Sequence, residues 1–108
     1  MENTDHQDAK FVEVFNIGIT LLKKFSANND KINDLNLLHN ATKKFMEALE
    51  IKKNRPEPYF YLAYTFYLLN ELSFAMTYMR VVAFLEPAFP GLKYLRENLA
   101  HACINKHI

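Results

Sequence analysis

The residues that could do chemistry are few and scattered. No two of the four histidines have the i, i+4 spacing that places two imidazoles on one helical face as metal ligands. Cys103 is the single cysteine, and on a helix it would point away from His101, two residues earlier. We therefore predict no metal site, no disulfide and no cofactor. The histidines are His6, His39, His101 and His107.

Nucleophilic and acid–base chemistry also lacks its usual arrangements. Gly18 and Gly91 are the only glycines, which excludes a glycine-rich phosphate-binding loop, and no serine stands in a nucleophile elbow. Glu47 and Glu50 lie one helical turn apart on a polar face, where two solvated carboxylates are expected rather than an acid–base pair. The sequence predicts a protein that is not an enzyme.

Charge and hydropathy exclude other classes of partner. Thirteen basic residues against twelve acidic ones give a net charge of +1, too little to attract nucleic acid or an anionic membrane. The longest uncharged apolar stretch, residues 58–69, is shorter than the roughly 20 residues that span a bilayer. The polar, acidic start of the chain lacks the apolar run of a secretory signal. We expect a cytoplasmic protein with no membrane insertion and no nucleic-acid partner.

Apolar residues that recur at three- and four-residue steps predict an all-α protein of about five helices. Asn70 tolerates the left-handed conformation and would supply a tight turn, while Pro56 and Pro58 stop one helix and start the next. A disordered leader is expected at residues 1–7, followed by a single helical domain over 8–108. The helices are expected at about 8–26, from Asn33 or Asp34 to 51, 57–69, 71–85 and 92–105.

The third of these helices is unusual, because residues 58–69 carry no charge on any face. A helix that is apolar all round is normally covered all round. A strand is the alternative, since tyrosine and phenylalanine favour sheets. The surrounding helical periodicity and the absence of a glycine-containing hairpin turn favour the helix.

The sequence also repeats itself after 34 residues, with size class and polarity largely kept. Small residues fall on small ones and bulky residues on bulky ones, as in the packing face of a helix pair. The superimposed pairs are Leu38 with Leu72, Ala41 with Ala75, Phe45 with Met79, Ala48 with Val82 and Ile51 with Leu85.

This period and its helix-turn-helix unit resemble the tetratricopeptide-repeat (TPR) family. The resemblance implies antiparallel helix pairs of superhelical type, a capping fifth helix, and one good repeat over 56–89. A degenerate repeat precedes it, whose joint within 27–37 is about eleven residues longer. The signature of the good repeat is carried by Tyr59, Leu62, Ala63, Phe66, Ala75, Met79, Val82 and Pro87, and that of the degenerate repeat by Val14, Ile17, Gly18, Leu21, Ala41, Phe45 and Ala48.

In the family, extended peptides or partner helices are held on a concave face built from the first helix of each repeat. The resemblance implies an aromatic groove here, without the lysines and asparagines that grip an acidic C-terminus. An apolar or amphipathic segment is therefore the expected ligand. The implied groove residues are Glu57, Phe60, Tyr64, Tyr67 and Leu68, with Phe15, Ile19 and Leu22 in the degenerate repeat.

The expected function is that of a non-enzymatic protein–protein interaction module, an adaptor, scaffold or chaperone. A structural homodimer or assembly subunit that uses the same surface for self-association is the alternative. Two other readings stay open. The chain's own N-terminal segment or fifth helix could fill the groove, or the protein could be an ordinary five-helix bundle without a concave face.

Overall fold

A computed structural model describes residues 2–27 and 34–106, with side chains at 6–27 and 34–105. The described part of the chain is helical, contains no strand, and has five helices, so the predicted all-α class is confirmed. The segment 28–33, which holds most of the predicted long joint, lies outside the described residues. The helices are α1 (Glu2–Ala27), α2 (Leu35–Ile51), α3 (Pro56–Leu68), α4 (Leu72–Leu85) and α5 (Leu92–Lys106).

The chain forms two compact units, Met1–Asn54 with α1 and α2, and Arg55–Ile108 with α3, α4 and α5. The sequence analysis treats residues 8–108 as one domain, whereas contacts group the helices on either side of residue 54. Each unit is described by itself below.

The first helix begins earlier than expected. Residues 2–7, predicted as part of a disordered leader, lie within the bounds of α1. This segment contains neither proline nor glycine, so nothing in it stops a helix from extending towards the N-terminus. Asp8, at the predicted start, forms an ion pair with Lys52 just after α2, which ties this part of α1 to its neighbour.

In the first unit, α1 and α2 approach closely at Gly18. A Cβ atom on Gly18 would lie 2.6 Å from Cε1 of Phe45, so only glycine fits beside this ring. Phe45 is fully buried, and its ring centroid lies 5.6 Å from that of Phe15. Ala41 and Ala48, one helical turn to either side of Phe45, are buried as well. The small residues singled out by the repeat thus lie at a close helix contact.

The buried face of α1 differs from the one implied by the degenerate repeat. Ile17, which the repeat places in the packing signature, is 41% exposed. Leu22, expected on the groove, is instead 6% exposed and belongs to the core. The observed row has three- and four-residue steps but is rotated around the helix relative to the expected one. The row consists of Phe11, Val14, Gly18 and Leu22.

In the second unit, the turn between α3 and α4 has the predicted conformation. Asn70 has a φ of 62°, in the left-handed region. Its N–H donates to the carbonyl of Tyr67, and the N–H of Glu71 donates to the carbonyl of Phe66. These two bonds form a Schellman motif, which satisfies the last carbonyls of α3 and reverses the chain.

One side of α3 packs against α4 through aromatic rings. Tyr78 of α4 stacks on Phe66 with centroids 5.7 Å apart, and on Tyr59 at 6.3 Å. Phe74 extends the row, 5.3 Å from Phe66. Beneath these rings lies an apolar core to which α5 also contributes. Its buried residues are Ala63, Leu72, Ala75, Met79, Val82, Leu92, Leu95 and Leu99.

The close contact at Gly18 generates a stability prediction. We expect Gly18→Ala to lower the free energy of unfolding by about 1 kcal/mol. Overpacking against a fully buried ring costs roughly 1–3 kcal/mol, and the gain of about 1 kcal/mol in helix propensity offsets only part of this. Urea unfolding followed by circular dichroism measures the change.

Asn16→Ala on the exposed side of α1 is the control, and Phe45→Leu combined with Gly18→Ala should recover part of the loss. An unchanged or raised midpoint for Gly18→Ala would show that the helices do not approach as described.

The conformation of Asn70 generates a second prediction. Asn70→Ala should destabilise the protein by about 1–2 kcal/mol, because a Cβ atom without a locally bonding side chain is unfavourable at positive φ. Asn70→Gly should leave stability within about 0.5 kcal/mol of the parent, since glycine adopts this conformation freely. Both variants remove the same exposed side chain. Equal midpoints for the two in thermal unfolding would contradict a left-handed residue at this turn.

Candidate functional site

A cavity of about 260 Å³ lies between α3 and α5 in the second unit, and we call it the α3–α5 notch. Phe60 lies beside Gly91 near the start of both helices, and Tyr64 lines the cavity with Leu95 and Asn98 one turn further on. The two helices therefore run side by side in the same direction. The lining residues are Phe60, Tyr61 and Tyr64 of α3, and Gly91, Tyr94, Leu95 and Asn98 at the start of α5.

The junction before α5 positions this second wall. Gly91 has a φ of 90°, and a Cβ atom there would lie 3.0 Å from Cζ of Phe60. Glycine is favoured here for two reasons: the positive φ, and the close approach of the chain to the ring of Phe60. Phe89 packs on the other side, with its centroid 4.9 Å from that of Phe60. The N–H of Leu95 then donates to the carbonyl of Gly91, which begins the helix.

The two faces of α5 at the notch differ sharply. Leu95 is 3% exposed and belongs to the core of the unit, whereas the neighbouring Tyr94 is 73% exposed. Tyr94 therefore forms an outer wall of the notch and is not part of the core of the unit. Asn98, one turn later, is half-buried and supplies an amide to an otherwise apolar lining.

Aromatic side chains dominate the α3 wall. The rings of Phe60 and Tyr61 meet at 90° with centroids 5.2 Å apart, an edge-to-face pair. Tyr64 follows one helical turn later. Together with Tyr94 from α5, four aromatic residues surround one small cavity.

No charged side chain lines the notch, and the nearest carboxylate along α3 is that of Glu57. Glu57 precedes Phe60 and Tyr61 by one turn on the same face of α3, and its Oε1 lies 3.5 Å from Nε of Arg55. Both of these side chains are substantially exposed, so their ion pair contributes little to stability. On α5, Glu97 lies about 60° from Tyr94 around the helix, on the side away from Leu95 and Asn98, and so does not face the notch.

The structure brings together only some of the predicted groove residues. Phe60 and Tyr64 line the notch, and Glu57 stands at its margin. Tyr67 and Leu68 lie one turn beyond Tyr64, both half-buried, and Tyr67 also packs against the core of the unit.

The three groove residues predicted in α1 lie in the other unit. Phe15 and Ile19 are half-buried, and Phe15 packs against the cluster formed by Phe11, Val14 and Ala48. Leu22, also predicted on the groove, is interior, as described above. The packing row of α1 is rotated, which turns Leu22 towards α2 and leaves Ile17 outside.

The sequence analysis missed Tyr61 and the whole α5 wall. Tyr61 follows Glu57 by four residues and precedes Tyr64 by three, so helical spacing alone places it on the same face. For α5, the signal is Pro90, which stands 34 residues after Pro56. The 34-residue period therefore continues into α5. The first turn of α5 has the position that the first helix of a following repeat would have. The sequence analysis expects helix five only as a cap, and therefore does not predict that it forms a wall of the notch.

Other candidate sites are sparse in the described residues. They contain no cluster of three or more His, Cys, Asp or Glu side chains arranged to hold a metal ion. The Cys103 thiol donates to the thioether of Met76, with 3.7 Å between the sulfur atoms. No described helix combines the length and apolarity that crossing a membrane requires.

Comparisons with protein-family models, with curated proteins and with solved structures found no match to this chain. The assignment to the all-α class therefore rests on the helices of the structure. The resemblance to tetratricopeptide repeats rests on the sequence repeat alone.

The contrast between two adjacent residues of α5 generates a third prediction. Leu95→Ala should destabilise the protein by about 2–5 kcal/mol, because it opens a cavity in the core. Tyr94→Ala should change stability by less than about 0.5 kcal/mol, as expected for an exposed side chain. Urea unfolding of both variants measures the difference. Similar losses in the two would show that α5 packs with a different face towards α3 and α4.

Proposed function

We propose that this chain is a non-enzymatic protein–protein interaction module of tetratricopeptide-repeat type, acting in the cytoplasm as an adaptor, scaffold or chaperone. Its α3–α5 notch holds an apolar or amphipathic segment of a partner protein. The observation that carries the proposal is the notch itself, an open cavity lined by four aromatic residues with no charged side chain in its lining.

The size of the notch supports a protein segment as ligand. At about 260 Å³ it is smaller than the roughly 300–1,000 Å³ of typical small-molecule sites. It suits one anchoring side chain of a longer segment. The rest of such a segment would lie along α3 past Tyr64, where Tyr67 and Leu68 remain half-buried and within reach.

The residue types support the same conclusion. Tyrosine is enriched in protein interfaces, where its ring provides contact area and its hydroxyl keeps a hydrogen bond with water or partner. Tyrosine also has few rotatable bonds, so fixing it in a complex costs little conformational entropy. Tyr61, Tyr64 and Tyr94 form such a group around the notch. Burying them would exclude water from the centre of an interface, where binding energy concentrates.

Self-association is the second candidate, and a separate observation favours it. Phe84 on α4 is 85% exposed, so a second copy could bury its ring. A second copy of the chain that covered Phe84 or the notch would make the protein a structural homodimer or an assembly subunit. The two candidates differ in what covers Tyr64 and Tyr94.

Peptide selection on the immobilised protein tests the first candidate. We expect selected peptides to bind the parent chain, and Tyr64→Ala with Tyr94→Ala to weaken them at least tenfold, because anchor pockets dominate interface energetics. Phe84→Ala is the matched control, an exposed aromatic residue outside the notch, and it should leave binding unchanged. Circular dichroism verifies that every variant is folded. Peptides that bind the double variant as tightly as the parent, or that depend on Phe84 instead, would place the binding surface elsewhere.

A further inference from the structure

We infer that the α3–α5 notch is an aromatic cage whose anchor is a methylated lysine side chain of the partner segment. This inference rests on the proposed function and assigns the chemistry of the residue that the notch takes. Its basis is the combination of four aromatic residues, an uncharged lining and the Glu57 carboxylate one helical turn before the lining on α3.

The aromatic residues provide the attraction. The face of an aromatic ring carries negative partial charge, and a quaternary ammonium close to several rings is held by all of them. Phe60, Tyr61 and Tyr64 come from consecutive turns of α3, and Tyr94 stands opposite on α5. The perpendicular Phe60 and Tyr61 rings form a corner of this cage.

Charges around the notch favour a cation over an anion or a neutral group. Glu57 precedes the cage by one turn on the same face of α3. On α5, the charged residues Lys93, Arg96 and Glu97 all lie about 100° or more from Asn98 around the helix, away from the lining. Arg55 is the competing cation, and it lies beyond Glu57 at the N-terminus of α3.

The lining selects a methylated ammonium over an unmodified one. A lysine ammonium is strongly hydrated and brings three N–H donors that need acceptors when water is removed. The notch offers only the Asn98 amide and tyrosine hydroxyls, with no carboxylate in the lining itself. A trimethylammonium group carries the same charge without any N–H donor. It therefore keeps the attraction to the rings and leaves no donor unsatisfied.

A protein side chain is favoured over a free quaternary ammonium by the shape of the site. The notch is open, as the exposure of Tyr94 shows, and the half-buried side chains of Tyr67 and Leu68 extend its surface along α3. A small ligand such as choline would leave this adjoining surface bare. The residues next to a methylated lysine in a peptide would cover it.

The test compares ligands of one shape and different charge. Three short peptides of identical sequence carry trimethyllysine, its neutral analogue in which carbon replaces the charged nitrogen, or unmodified lysine. Nuclear magnetic resonance titration follows the ring signals of Tyr61, Tyr64 and Tyr94. We expect the trimethyllysine peptide to bind about tenfold more tightly than either of the others, as cation–aromatic attraction at a partly desolvated site implies. Free choline should bind more weakly than the trimethyllysine peptide.

Two variants add readouts that a simple apolar pocket would not give. Glu57→Gln should weaken the trimethyllysine peptide a few-fold and leave its neutral analogue unchanged, since only the cation interacts with the carboxylate. Tyr94→Leu should reduce the preference for the cation, because one of the four rings is lost, while the neutral analogue still binds. Phe84→Leu, outside the notch, is the control and should alter neither.

The outcomes separate this inference from the proposed function. A neutral analogue that binds as tightly as the trimethyllysine peptide would overturn the aromatic cage and leave an apolar anchor. Equal binding of choline and the trimethyllysine peptide would overturn the assignment to a partner's side chain. Failure of all three lysine peptides, while peptides from the selection still bind at Tyr64 and Tyr94, would overturn only the inference. Failure of both sets would overturn the proposed function too.

Discussion

The second unit depends on how α3 is covered. This helix has no charged residue from Tyr59 to Leu68, and a helix with apolar residues on every side has to be shielded from water on every side. One side is covered by α4, through the stacked rings of Tyr59, Tyr78 and Phe66. The other side is covered by α5 only near its start. The α3–α5 notch is the part of this helix that α4 and α5 leave incompletely covered.

The local features of the unit follow from this requirement. Asn70 reverses the chain in the left-handed conformation, so α4 returns directly along α3. Gly91 allows the chain to pass against Phe60 before α5 begins. Leu95 then faces inwards while Tyr94 faces outwards, and the two residues divide the core from the notch. Fold and candidate site are therefore built from alternate faces of the same two helices.

Much of the fold was predictable from the sequence, and the reasons are physical. The limits of α3, α4 and α5 follow from prolines, from Asn70 and from helical periodicity, which are local signals. The repeat assigns one face of α3 to packing within the helix pair, and it therefore predicts that Phe60 and Tyr64 lie on the opposite face, in the groove. The rotation of α1 could not be foreseen, since Leu21 and Leu22 are equally apolar and only the contact of Gly18 with Phe45 selects the buried row. The α5 wall depends on tertiary packing, and periodicity within one helix does not report its neighbour.

We propose that α3 presents the side left open by α4 and α5 to a partner and not to a second copy of this chain. Light scattering across a dilution series distinguishes the two, because it reports mass without a ligand. We expect a mass of 12.7 kDa at every concentration. A dimer that persists on dilution, and that Tyr64→Ala with Tyr94→Ala converts to monomer, would contradict it.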